Sequence, residues 1–219
     1  DAFSDEGQRW GNPIYRWEEL EKDDFKFWID RLAYNAKLYD IIRLDHFRAF
    51  DTYWEIEDKY DNAIIGEWKE APGYALFDKI TKELKDVEFI AEDLGTLRPE
   101  VLELRDHYNL KGMVIIENEF RPWENHLVEA SENSVTYPGT HDNMTIIEWF
   151  EGLDKEKQEA IKEFFEENGI ENETLADDFF EYATSLESEY VIVSLADILG
   201  LGGEARINEP ATLNDKNWS

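Results

Sequence analysis

Residues 41–50 read I-I-R-L-D-H-F-R-A-F, a short apolar run that ends abruptly in Arg43, Asp45, His46 and Arg48. Two β-branched residues, then Leu44 set between charged neighbours, have the pattern of a buried parallel strand, the kind that carries chemical groups at its C-terminal end. Asp45 is the leading candidate for such a group. Just upstream, Phe25, Trp28, Ile29, Leu32, Ala36 and Tyr39 fall three or four apart, which predicts an amphipathic helix over 24–39 feeding this strand.

The helix-then-strand pattern recurs along the chain. A helix over 74–84 leads into V-E-F-I-A at 87–91, which runs out into Glu92 and Asp93. Gly95, Thr96 and Pro99 mark a turn and a helix start, the helix reaching Tyr108. Gly112 opens a strand over 113–116, and another over 134–137 delivers Pro138, Gly139, Thr140, His141, Asp142 and Asn143. Acidic helices over 154–168 and 174–186 precede a last apolar run at 190–195. Residues 7–17 and the stretch carrying Trp54 and Trp68 read as loops, and the tail from Gly202 as irregular.

Five strand candidates separated by helical or loop stretches describe βα units and hence a parallel sheet of the α/β class. No G-x-G-x-x-G follows a strand and no phosphate-binding lysine loop is present, which counts against a doubly wound cofactor fold. Polar groups dispersed over several strand ends favour a (β/α)8 TIM-type barrel.

With 22 basic against 52 acidic side chains, the formal charge of −30 repels phosphate backbones and anionic lipid, so neither nucleic acid nor a membrane is an expected partner. No apolar run has the length of a bilayer span. The absence of cysteine excludes a disulfide framework and thiolate metal ligands and agrees with a reducing, cytoplasmic setting. Eight Trp, ten Tyr and thirteen Phe exceed what packing usually asks for, and aromatic planes are what sugar rings stack upon. The chain opens at Asp1 without Met and stops at Ser219 with neither end capped, and it reads as a fragment.

Three carboxylates, Asp45, Glu92 and Asp142, stand at three strand ends. Cleaving a glycosidic bond with retention takes two carboxyl groups about 5 Å apart, one attacking the anomeric carbon while the other protonates the leaving oxygen. An ionised Asp45 beside Glu92 would disfavour the charged form of Glu92 and let it keep the proton a general acid needs. Arg43, two residues before Asp45 and on the same side of the strand, would hold Asp45 ionised. Asp45, His46, His141 and Asp142 are also chemically able to hold a metal, but they lack the H-x-x-x-H or E-x-x-H spacing that orients such ligands, and no metal or cofactor is expected.

Several segments resemble the amylomaltase (4-α-glucanotransferase) family of the α-amylase clan, in the family's order and over nearly the whole chain. They are G-Q-R-W-G-N-P-I-Y at 7–15, R-L-D-H-F-R at 43–48 with Tyr53, Trp54 and Glu55 following, A-E-D-L-G at 91–95, and G-T-H-D-N at 139–143. The tail, E-A-R-I-N-E-P-A-T and then N-W-S, looks like the family's closing E-x-R-x-N-x-P-G and N-W-x-W-R, with Ala211 where glycine is usual. Glu117, Asn118 and Glu119 depart from a more apolar Q-F-A-F. The resemblance implies transfer of α-1,4-glucan segments without a cofactor, with maltooligosaccharides as donor and acceptor. It implies Asp45 as nucleophile, Glu92 as acid and base, and Asp142 as the group gripping a distorted sugar, assisted by Arg43 and His141. Trp10, Asn208 and Pro210 would border the glucan groove, with His46 counted beside them. The family's early barrel strands and its D-x-x-x-N-H segment are absent, so 1–219 is expected to be the C-terminal part of a single barrel domain, with the missing N-terminal half as its partner. A hydrolase of the same clan and a glucan-binding fragment without catalysis remain as alternatives.

Overall fold

The computed structural model describes residues 6–218. Asp1, from which the fragment reading starts, and Ser219, the last residue of N-W-S, lie outside them. The chain divides into two compact units, Asp1–Gly112 and Met113–Ser219, and the boundary falls inside a strand where no linker composition marks it.

In the first unit, α1 (Trp17–Lys22) and α2 (Lys26–Asn35) precede β1 (Ile41–Leu44). The predicted helix over 24–39 is shortened at its start because Asp24 and Phe25 take left-handed backbone (φ 50° and 55°), which turns Phe25 inward to 1% exposure. A single 3₁₀ turn, Phe47–Phe50, follows β1. The stretch read as a loop is instead an antiparallel hairpin, β2 (Thr52–Glu55) with β3 (Glu67–Glu70). Its register sets Trp54 opposite Trp68 with ring centroids 5.1 Å apart, a cross-strand aromatic pair that stabilises so short a ribbon. Then come α3 (Gly73–Glu83), β4 (Glu88–Ala91) and α4 (Pro99–His107). β1 and β4 pair in parallel, Ile41 against Glu88 through Leu44 against Ala91, and a parallel bridge from Ile90 to Lys111 adds the start of a third strand. Phe47, Leu76, Phe77, Ile80, Val101 and Leu104 fill the core between this sheet and its helices. Each such fully buried side chain contributes about 1.5–3 kcal/mol.

The second unit is built on the sheet β5 (Gly112–Ile115), β6 (Ser134–Tyr137) and β7 (Tyr190–Val191), hydrogen-bonded in that order, with β6 and β7 parallel. A single turn, α5 (Ile116–Glu119), interrupts the apolar run after β5, and α6 (Ile146–Gly152) follows β6. α6 is capped by Thr145 Oγ1, which accepts from Glu148 N at 3.2 Å. The acidic helices are α7 (Lys155–Glu167) and α8 (Leu175–Ser185), with Asp154 and Thr174 as N-caps accepting from Lys157 N and Asp177 N. Such caps satisfy backbone donors that a helix leaves open at its start. β7 covers only the first two residues of the predicted apolar run because Ser194 leaves the sheet to cap α9 (Leu195–Ile198). Phe120, Ile161, Phe165 and Phe179 form the unit's own core. Among the described residues, no helix is long and apolar enough to cross a membrane.

Candidate active site

The parallel register of β1 and β4 places Asp45 and Glu92 at successive ends of neighbouring strands. Glu92 N donates to Leu44 O at 2.9 Å and Phe47 N to Glu92 O at 3.0 Å, so the ladder continues one step past both strands with Asp45 and Glu92 side by side. Adjacent strands run about 4.8 Å apart, the scale of separation that retaining chemistry uses. His46, in a left-handed conformation (φ 46°), turns the chain back so that its N–H donates to Glu92 Oε2 at 2.7 Å, while Leu94 N donates to Oε1 at 3.2 Å.

Burial is the main cause that raises the Glu92 pKa above the ordinary carboxylate range, against two backbone hydrogen bonds and Arg43 that pull it down. Asp45 raises it too, in the expected direction, but as a smaller influence than burial. Arg43 Nη1 donates to Asp45 Oδ1 at 2.7 Å, and the Asp45 side chain is 78% exposed and open to a ligand. Desolvation lowers the His46 pKa, outweighing the opposite pull of Asp45, with Arg48 adding to the lowering.

Of the two acids that end β4, only Glu92 stands beside Asp45. Asp93 is bound by Arg105 Nη1 and 95% buried at its side chain, a structural ion pair. Arg98 and Asp51, which sequence reasoning passed over, and Arg48, which it named without a role, hold the pair of segments together. Arg98 Nε and Nη2 donate to Asp51 Oδ2 and Oδ1 at 2.5 and 2.7 Å, a bidentate pair clamping the segment after β1 to the start of α4. Arg48 Nη1 donates to Thr96 O at 2.6 Å while its guanidinium lies 4.2 Å over the Trp68 ring. The only sequence signal for these was a charge set among apolar residues.

Trp10 is 59% exposed, its Nε1 donating to Gln8 Oε1 at 3.0 Å. Its loop is docked on the β2–β3 connection through Ala63 N to Glu6 O at 3.0 Å and the Arg9–Asp58 pair at 3.2 Å. Trp10 is thus left largely open to solvent on a loop tied to the hairpin.

In the second unit, β6 runs into the turn 140–143, where Asp142 Oδ1 accepts from Asn208 Nδ2 at 2.7 Å and His141 Nε2 stands 3.4 Å from Asp142 Oδ2. Arg206 braces both strands of this contact, with Nη2 to Asp142 O at 3.2 Å and Nε to Asn208 O at 3.0 Å. His141 packs against Trp218 at 5.5 Å between centroids, so the tail read as irregular is folded onto Asp142. Pro210 is exposed in the turn beyond Asn208. Among the described residues no cluster of His, Cys, Asp and Glu is arranged to hold a metal ion.

Ala211 has φ 60°, a conformation in which a Cβ is strained and glycine is not. Ala211→Gly is therefore expected to stabilise the protein by about 1 kcal/mol, read as a higher urea midpoint at unchanged slope. An unchanged or lower midpoint would show that the turn relaxes around alanine.

Against known proteins, a family profile described as 4-alpha-glucanotransferase (Glyco_hydro_77) matches residues 1–219. The chain is 43% identical over 226 aligned positions to the 4-alpha-glucanotransferase of Streptococcus pneumoniae, covering all of this chain and 44% of that protein. To that of Clostridium butyricum it is 42% identical, again over its whole length and 45% of the relative. Among solved structures, the amylomaltase from Streptococcus agalactiae in complex with acarbose superposes with a TM-score of 0.88 at 35% identity, covering all of this chain and 44% of that one. The chain thus spans a little under half the length of the relatives it matches. Matched from end to end in sequence and in backbone, this chain belongs to the 4-alpha-glucanotransferase family.

Proposed function

We propose that this chain carries the reacting carboxylates of a 4-α-glucanotransferase that works by retaining double displacement within a (β/α)8 barrel, residues 1–219 being the C-terminal part of that one catalytic domain. The observation that carries the reading is the pairing of Asp45 and Glu92 at neighbouring strand ends, one paired with arginine and exposed, the other half-buried with a raised pKa. Asp45 attacks the anomeric carbon of an α-1,4-glucan while Glu92 gives its proton to the departing 4-oxygen, leaving a glucan ester on Asp45. Glu92, now a carboxylate, takes the proton of an incoming sugar 4-hydroxyl, whose oxygen displaces Asp45 and re-forms the α-linkage. Asp142, oriented by Asn208 and by the brace from Arg206, binds hydroxyls of the distorted sugar, and His141 adds a donor beside it. Trp10 offers its exposed side chain to a sugar ring, and His46 and, in the second unit, Pro210 are further candidates for substrate contact. An acidic chain without cysteine suits the cytoplasm.

The test is the product profile from maltotriose with the full-length protein. Glucose together with chains longer than the substrate is expected, because an acceptor sugar held on aromatic surface meets the ester before water does. If reducing ends accumulate and no longer chain appears, a hydrolase of the same clan is the correct reading. No turnover at all, with glucan still bound, would leave only a binding protein.

A further inference from the structure

The turn 140–143 that presents His141 and Asp142 takes its shape from Asn143. Asn143 Oδ1 accepts from Thr140 N at 2.9 Å and from Thr140 Oγ1 at 2.7 Å, and Thr140 Oγ1 in turn accepts from Asp142 N at 3.3 Å. The amide end of Asn143 is anchored from the interior, its Nδ2 donating to Glu117 Oε2 at 3.2 Å. Glu117, in the single turn α5, is 9% exposed, and its own N–H donates to Pro138 O at 3.1 Å. Its second oxygen, Oε1, has no hydrogen-bond partner among the described residues and lies against Gly139, where a Cβ would overlap it and come within 3.0 Å of Asn143 Cβ. Glu117 thus touches the turn at both ends, and glycine at 139 makes the approach possible.

We propose that Glu117 is a positioning residue, which through Asn143 fixes the turn that holds His141 and Asp142 toward the sugar; the inference rests on the glucan-transfer reading above. Burial pushes the Glu117 carboxyl up to about 8, with the Asn143 hydrogen bond and Arg206 opposing and Asp197 and Glu148 adding. Burial thus favours the uncharged form, which can accept from the Asn143 amide without carrying a buried charge. A glutamine has the same length, accepts the same hydrogen bond and carries no charge. Truncation at this position would leave Asn143 Nδ2 without its partner and a void behind the turn.

The experiment compares full-length wild type, Glu117→Gln, Glu117→Ala, Asn143→Ala and the double alanine variant, each for kcat and KM with maltotriose and for thermal melting. Loss of placement by about 1 Å costs on the order of 10² in rate, so Glu117→Ala is expected to lower kcat about 10- to 100-fold while KM changes less than about threefold. Glu117→Gln is expected to keep kcat within about threefold of wild type. Asn143→Ala, which removes that contact together with the two hydrogen bonds from Thr140, is expected to lose at least as much as Glu117→Ala, and the double variant to be no worse than Asn143→Ala alone. Should Glu117→Ala not fold, Asn143→Ala and Glu117→Gln decide. A folded alanine variant that keeps more than half the wild-type kcat overturns the proposal, as does a Glu117→Gln that falls as far as alanine at the wild-type melting temperature. Additive losses in the double variant also overturn it, since two links of one relay cannot be lost twice. A wild-type protein without transfer overturns the glucan reading itself, and this inference with it.

Discussion

Asp45→Asn is expected to lower glucan transfer by at least ~10³-fold while shifting the melting temperature by no more than a few degrees. The two halves of that expectation have separate causes. An amide oxygen in place of the carboxylate cannot form the glucan ester, and the charge that would stabilise the developing oxocarbenium ion is gone, so covalent and electrostatic contributions are lost together. Stability, by contrast, owes little to this side chain: it is 78% exposed, and its ion pair among the described residues is with Arg43, itself 29% exposed. Exposed pairs of this sort are worth about 0–1 kcal/mol, and Arg43 keeps its access to water when the partner is neutralised. Initial rates of maltotriose disproportionation alongside a thermal melt measure both. A folded Asp45→Asn protein with more than a tenth of the wild-type rate would remove Asp45 from the role of nucleophile.

Glu92→Gln is expected to cost about 10²–10⁴-fold with maltooligosaccharides, the usual contribution of a positioned general acid. The loss should be much smaller in the first step for a maltosyl donor whose leaving group is fluoride, because that departure needs little protonation. The wild-type pH profile adds a second signature. Since Glu92 must be protonated to act, and burial raises its pKa, transfer should decline as pH rises through a value above the ordinary carboxylate range, and Glu92→Gln should lack that limb. The stability linkage has the same sign. Folding raises this pKa, so the contribution is fully present below the unfolded-state value and lost as pH rises through the folded one. Gln also meets two backbone donors, His46 N–H and Leu94 N–H, with one acceptor, so a loss of about 1–3 kcal/mol in stability is expected as well. An activity loss equal for fluoride and glucan donors would argue against an acid role.

Helices over α3, α4, α7 and α8, and strands β1, β4, β5 and β6, were legible in the sequence because each has a clear apolar period and a turn or cap at its ends. The hairpin β2–β3 was not, since four-residue strands separated by eleven residues of irregular chain give no period to read; what defines them is Trp54 meeting Trp68 across the ladder. α6 was hidden because its apolar run directly follows a turn, and its start is fixed partly by Asp197, whose Oδ1 accepts from Ile146 N at 2.8 Å from a distant stretch of the second unit.

At the site, the sequence by itself determined which acids end strands: alternation fixes a strand, and a strand's last residue is fixed with it, so Asp45 and Glu92 followed from local pattern and their family from the motifs around them. Only the tertiary structure decided the surroundings and partners of each acid. Glu92 and Asp93 are neighbours in the chain, yet one stands beside Asp45 with a raised pKa and the other is consumed by Arg105. Glu117 stands out in the sequence only as a departure from the family's apolar segment until its burial against Gly139 and its hydrogen bond from Asn143 are seen. The physical reason is the same in each case. Where a side chain lies along the backbone is a local property, whereas desolvation, partner choice and protonation depend on groups that folding brings from tens of residues away.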